Sequence, residues 1–308
     1  MTSVILYGNQ QLSPVFDRYA FQEVNTHSLQ GLVQCVKEYG VEDKEIFIAE
    51  NAEILAERLK DKQREQRKVT LIIPGGYSLL IDASLESAKT HELIDDMIQA
   101  GQLNCFGVCA GMDWMLNCVV PSRKGGGYGF FFKYVSAPSF QKSTTAGSSH
   151  LLQDKAPVVI PSTEEDKPFQ AFWNSGGCAY FEGDPKREAK QMQAVTSIAK
   201  YTKEELFTGE QFQKAYRRLG YFQENGAIPP ERYPHAGIMR ITEKKSVLVG
   251  IGFHPEIPLD PQKLTLGISP EENNIRVKRF LFSIFDRLEL SKTVVAADHL
   301  ALRSLNMD

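Results

Sequence analysis

The feature that most constrains this chain is a change of apolar period, repeated several times in its first hundred residues. Four short β-branched or apolar runs read as strands: SVILYG (3–8), EIFIAE (45–50), VTLIIP (69–74) and LNCFGVC (103–109). Between them, SLQGLVQCVKEYG (28–40), NAEILAERLKDKQREQ (51–66) and THELIDDMIQAG (90–101) carry apolar residues near i, i+3, i+4 and i+7, the spacing of one helix face. Strands that alternate with helices cannot pair as hairpins. They form βαβ units, whose parallel strands must be covered on both faces.

The expectation is therefore an α/β protein: a flavodoxin-like, mostly parallel sheet with helices on both faces. Beyond Cys109 the texture changes, and residues 121–182 are rich in Gly, Ser, Pro and aromatics with short runs such as FFFKYV and AFWN. They predict an antiparallel extension or a set of loops around a site. Strand signals return at 194–201, 236–242 and 246–253, and EENNIRVKRFLFSIFDRLEL (271–290) predicts a last helix. Residues 1–290 are expected to form one domain, with 291–308 as a C-terminal appendage. The glycines of KGGGYG (124–129) are followed by no Gly-Lys-Ser/Thr, so they predict a loop and not a phosphate cradle.

Composition narrows the partners. A formal net charge of −3 with 24% charged residues lacks the basic excess that nucleic acid or an anionic membrane attracts. No apolar window approaches the ~20 residues of a membrane span, and the N-terminus has no signal-peptide pattern. Of the five cysteines, Cys105, Cys109 and Cys118 crowd one segment, a spacing that suits neither a disulfide framework nor a structural zinc site. The expected setting is the cytoplasm, with a small-molecule ligand, no metal and no cofactor.

Three strand-end motifs carry chemistry. GVCAG (107–111) has the form G-x-C-x-G, the cysteine counterpart of a nucleophile elbow. There a strand reverses sharply into a helix and the flanking glycines avoid Cβ clashes. A helix N-terminus stabilises a thiolate and lowers its pKa from about 8.5 towards about 3.5–7.5. A tightly packed crossover with an inert thiol is the alternative reading of that stretch alone. Directly after the strand-like SVLVGIGF comes HPE, with His254 and, two residues on, Glu256. A histidine at a strand end can reach a thiol at the neighbouring strand's carboxyl edge, and a carboxylate can orient its ring. IPGGYS (73–78) closes another strand, where the N–H of Gly75 or Gly76 can join that of Ala110 to hold a developing oxyanion, or simply form a turn.

In the order IPGG, GVCAG, GFHPE, these motifs resemble the class I glutamine amidotransferase superfamily, whose Cys-His-Glu triad hydrolyses a carboxamide through a thioester. More closely, residues 3–285 resemble the amidotransferase-like N-terminal domain of eukaryotic-type biotin-protein ligases, through VILYGN, LIIPGGYSLL, FGVCAGMDWML, FWNSGGCAYFEG and VLVGIGFHPE. The resemblance implies Cys109 as nucleophile, His254 as general base, Glu256 as its orienter, and Gly75, Gly76 and Ala110 as the oxyanion neighbourhood. Asn174, Gly176 and Gly177 match a motif beside the pocket, although a β-turn between two strands explains the same residues.

Two departures bear on function. Glutamine amidotransferases of this kind continue the elbow as G-x-C-x-G-x-Q, and here that position is Asp113, which repels a carboxylate and disfavours glutamine as substrate. The Gly-Arg-Gly-Arg signature of the ligase half does not occur in the sequence. Two functions follow. One is a cysteine-dependent hydrolase acting on an amide or related acyl bond; the other is a non-catalytic module that senses a metabolite or docks on a protein partner such as a ligase or carboxylase.

Overall fold

The computed structural model describes residues 3–8, 21–75, 88–113, 133–136, 158–160, 168–171, 178–181, 195–200, 226 and 235–290. In chain order the strands are β1 (Ser3–Tyr7), β2 (Ile46–Ala49), β3 (Val69–Ile73), β4 (Leu103–Val108), β5 (Lys133–Ser136), β6 (Val158–Ile160), β7 (Phe169–Ala171), β8 (Cys178–Phe181), β9 (Val195–Lys200), β10 (His235–Ile241) and β11 (Val247–Ile251). The helices are α1 (Phe21–Tyr39), α2 (Ala52–Arg64), α3 (Ala88–Gln99), α4 (Ala110–Asp113) and α5 (Pro270–Arg287).

The main sheet runs β2-β1-β3-β4-β11-β10-β8-β5, with β9 also paired to β10. Its first five strands are mutually parallel. From β10 outward every pairing is antiparallel. The expected α/β class and antiparallel extension are thus both present, and β6 and β7 form a separate antiparallel pair.

Strand side chains alternate between faces, and the core divides accordingly. Val4 and Leu6 of β1 pack on one side with Ile72, Phe106, Val249 and the inner faces of α1 and α5. Ile5 and Tyr7 point the other way, joining Leu71, Ile73, Leu248 and the apolar stripes of α2 and α3. Helices therefore cover both faces, as the near-continuous apolar sequence of β3 and β4 requires: every residue of both strands is buried.

Local chemistry fixes the helix ends. Asn51 accepts a hydrogen bond from the Ile54 N–H at 2.9 Å at the start of α2. Ser269 does the same for Glu272 at 3.1 Å, ahead of Pro270 in the first turn of α5. One boundary differs from the sequence expectation: α1 begins at Phe21, a full two turns before Ser28. At the far end of α5, buried Asn104 donates to the Leu288 carbonyl at 2.7 Å and accepts from the Val247 N–H at 2.9 Å. That one amide ties β4, β11 and α5 together. Phe253, just beyond β11, is fully buried against Phe169 and Phe280, with ring centroids 6.1 and 5.6 Å away. Burial of that ring contributes about 1.5–3 kcal/mol and anchors the segment that follows.

Candidate functional site

Register brings the three motifs level. Ile73 pairs with Gly107, which sets Gly75 beside Cys109; Val108 pairs with Ile251, which sets Cys109 beside Gly252. His254 lies two residues further on. All three sit at the carboxyl ends of adjacent parallel strands, where open α/β sheets hold their ligands.

Cys109 has φ of +50°, in the left-handed region that side chains other than glycine seldom occupy. Such a conformation costs about 1–3 kcal/mol and persists only where the surroundings impose it. Here they do. The Cys109 N–H donates to the Ile251 carbonyl at 2.7 Å, which holds the turn against β11. On either side the backbone is too close for a side chain. A Cβ on Gly107 would lie 2.6 Å from the Gly111 carbonyl, and a Cβ on Gly111 would lie 2.2 Å from the Ile73 carbonyl oxygen. Both glycines of G-x-C-x-G are required by backbone contact.

His254 is fully buried, and its Nδ1 lies 2.8 Å from Oε1 of Glu256. A carboxylate only accepts, so Nδ1 carries the proton and Nε2 is left for other contacts. Burial alone would push the imidazole pKa down, but the Glu256 carboxylate and the Cys109 side chain outweigh it and hold the value at about 10. Burial, reinforced by the Glu256 carboxylate, pushes Cys35 up to about 12, and burial alone raises Cys105.

Gly75 owes its identity to this cluster. A Cβ there would stand 2.2 Å from Cε1 of His254 and 3.2 Å from Cβ of Cys109, so the imidazole occupies the space a side chain would need. Its N–H donates to Oγ of Ser28 at 2.9 Å, and the Ser28 hydroxyl donates in turn to Oε1 of Glu256 at 2.5 Å. Sequence reasoning missed Ser28. The available signal was a serine with a glycine three residues on, inside an apolar helical stripe. A Cβ on that Gly31 would meet the Glu256 carbonyl oxygen at 2.4 Å, so α1 packs directly on the HPE turn.

Ala110 opens the short helix α4 directly after the cysteine, and Asp113 closes it. Gly76, Asn174, Gly176 and Gly177 lie outside the described residues. A cleft of about 840 Å³ runs between α1 and α5, with His27, Gln34, Asn273 and Lys278 among its walls. It reaches His254 and Glu256, whereas Cys109 is not among its described lining residues, so this space and the sulfur do not coincide. Among the described residues no group of three or more His, Cys, Asp or Glu is placed to hold a metal ion. No helix among them is long and apolar enough to cross a membrane.

No protein-family description matches the chain, and no curated protein does. Among solved structures, one titled "Crystal structure of glutamine amidotransferase" aligns with a TM-score of 0.45 at 13% sequence identity, over 90% of this chain and 98% of that one.

Proposed function

We propose that this chain is a cysteine-dependent hydrolase of the class I glutamine amidotransferase kind, acting on an amide or related acyl bond through a thioester. The observation that carries the reading is the 2.8 Å His254–Glu256 contact beside a cysteine held at φ of +50°. A raised imidazole pKa also supports it, because a ring that readily holds a proton can take one from Cys109 and keep it for the leaving group.

The steps follow from that arrangement. The Cys109 sulfur attacks the carbonyl carbon, a C–S bond forms, and the carbonyl oxygen becomes an oxyanion. As the C–N bond breaks, His254 gives its proton to the departing nitrogen, leaving a thioester. Water then loses a proton to His254 and attacks the thioester; the C–S bond breaks, the acid is released, and the thiol recovers its proton. The Gly75 N–H is directed at Ser28, so Gly76 and Ala110 are the remaining donors of the proposed oxyanion set. Asp113 turns the substrate class away from glutamine and towards amides without a free carboxylate at that position.

The finer relationship proposed is with the amidotransferase-like domain of biotin-protein ligases, as a single domain over residues 1–290 with 291–308 appended. A reducing, cytoplasmic setting belongs to the same reading, supported by the free thiols of Cys35, Cys105 and Cys109. A second reading, a binding module without turnover, is favoured by one observation: the cleft between α1 and α5 reaches the His254–Glu256 pair without the sulfur. Its occupant would be a small metabolite or a protein partner such as a ligase or carboxylase.

One experiment separates the two. Iodoacetamide labelling of Cys109 is followed by mass spectrometry from pH 5 to 9, alongside a turnover screen of amides with wild type and Cys109→Ala. Labelling below neutrality well above the rate of a free thiol, with turnover lost in Cys109→Ala, is expected. Labelling like that of a free thiol, with binding retained in Cys109→Ala and no turnover in either protein, would replace the hydrolase reading with the module.

A further inference from the structure

Ser28 lies where the two halves of the site meet. Its side chain is fully buried on α1, and its hydroxyl bridges a backbone N–H at the end of β3 and the carboxylate of the HPE turn. A hydroxyl has one proton. Given to Glu256, it leaves the oxygen lone pairs to receive the Gly75 N–H, which is the arrangement seen.

The carboxylate itself is held asymmetrically. Oε1 receives both the Ser28 hydroxyl and the His254 Nδ1–H, whereas Oε2 is buried with no hydrogen-bond partner among the described residues. The orientation of Glu256 therefore depends on the two donors at Oε1, and only one of them is independent of the imidazole it orients. We infer that Ser28 is a positioning residue of this site: it fixes the carboxylate that aims His254 and docks the Gly75 turn against the same oxygen. Through one hydroxyl, α1 sets both the ring that handles the proton and the backbone that packs against that ring. This rests on the Cys109–His254–Glu256 reading above.

The test compares Ser28→Ala and Ser28→Thr with wild type in two measurements. One is the His254 ring titration, followed by nitrogen-15 NMR; the other is the pH profile of Cys109 alkylation. The groups facing the ring in both are Glu256 and Cys109, and Cys35 adjoins the carboxylate from α1. Loss of a hydrogen bond to a charged group predicts a fall of about tenfold in alkylation near pH 6.5 for Ser28→Ala, with a displaced His254 midpoint, and recovery to within a few-fold in Ser28→Thr. If Ser28→Ala fails to fold, Ser28→Cys, which keeps the volume and weakens the donor, takes its place. A variant lacking the hydroxyl but showing the wild-type His254 midpoint and the wild-type alkylation profile overturns the inference. A merely structural hydroxyl would lower the melting temperature and leave the midpoint in place, and that result overturns the inference equally. Should wild-type Cys109 react like a free thiol while the midpoint still moves in Ser28→Ala, the hydrolase reading falls and the role of Ser28 stands.

Discussion

Replacing Gly75 by alanine adds a methyl group at the point where the imidazole, the sulfur-bearing residue and the β3 turn converge. The backbone accepts alanine there, because the φ of Gly75 lies outside the left-handed region, so any effect comes from space alone. The new Cβ would stand 2.2 Å from Cε1 of His254, and ordinary contact begins at 3.4 Å, so the ring must retreat by about 1.2 Å, the difference between those distances. The ring cannot retreat and keep its 2.8 Å contact unless Glu256 follows, and Glu256 is held by Ser28. A misplacement of about 1 Å costs roughly a hundredfold in rate, and overpacking a filled site costs about 1–3 kcal/mol of stability. We expect Gly75→Ala to remain folded, to melt several degrees lower, and to lose about two orders of magnitude in Cys109 alkylation at pH 6 and in any amide turnover. Measurements by circular dichroism and mass spectrometry suffice. A Gly75→Ala protein with the alkylation rate and melting temperature of wild type would show that the imidazole does not occupy this space, and that the site is built differently.

Other perturbations test neighbouring parts of the site. At φ of +50°, Cys109→Gly should be more stable than Cys109→Ala by about 1 kcal/mol in urea denaturation, since only glycine relaxes in the left-handed region; equal stabilities would refute the strained turn. With the imidazole pKa raised to about 10 in the folded state against an ordinary 6.5, the native protein binds more protons between those values. The contribution of His254 to stability is therefore complete below about pH 6.5 and lost as pH rises towards 10, so the decline in stability over that window should flatten in His254→Gln. Cys35, buried and pushed up to about 12, should label far more slowly than Cys109 in native protein near neutrality, and the two should converge in denaturant.

The parallel half of the fold was legible because short apolar runs take turns with helix-spaced stretches along the chain. Val4 and Leu6 against Ile5 and Tyr7 declare two buried faces, and two buried faces demand helices on each. Strand boundaries followed within a residue or two. The start of α1 did not, for an instructive reason. Serine ordinarily marks a helix N-terminus, and the expected boundary fell on Ser28; in the fold that hydroxyl serves a carboxylate 228 residues away, in the middle of the helix. Local rules cannot see a partner so distant in sequence. Gly75 illustrates the same limit, since Pro-Gly-Gly reads as a turn and the ring that excludes a side chain arrives from His254. Gly107 was readable because the backbone that excludes its side chain, at Gly111 and Met112, is local, whereas Gly111 is held to glycine by Ile73 of β3. The departure at Asp113 can be read only from sequence, and Gly76, Asn174, Gly176 and Gly177 lie outside the described residues.

The arrangement of β10 has a lasting consequence for how such a protein can diverge. Residues 237–240 of that strand are flanked by β11 on one edge and β9 on the other, and His235 pairs with both Lys200 of β9 and Tyr180 of β8, so β8 follows β11 along the same edge, with a break in the β9 register near Gly237. Among the described residues the outer strands thus reach the parallel strands through β10, while the cysteine, the imidazole and the carboxylate follow β4 and β11. A change in the annex is therefore relayed to those three groups by way of β10. The first long helix is tied in more directly, because the Ser28 hydroxyl and the close approach of Gly31 both fasten it to Glu256.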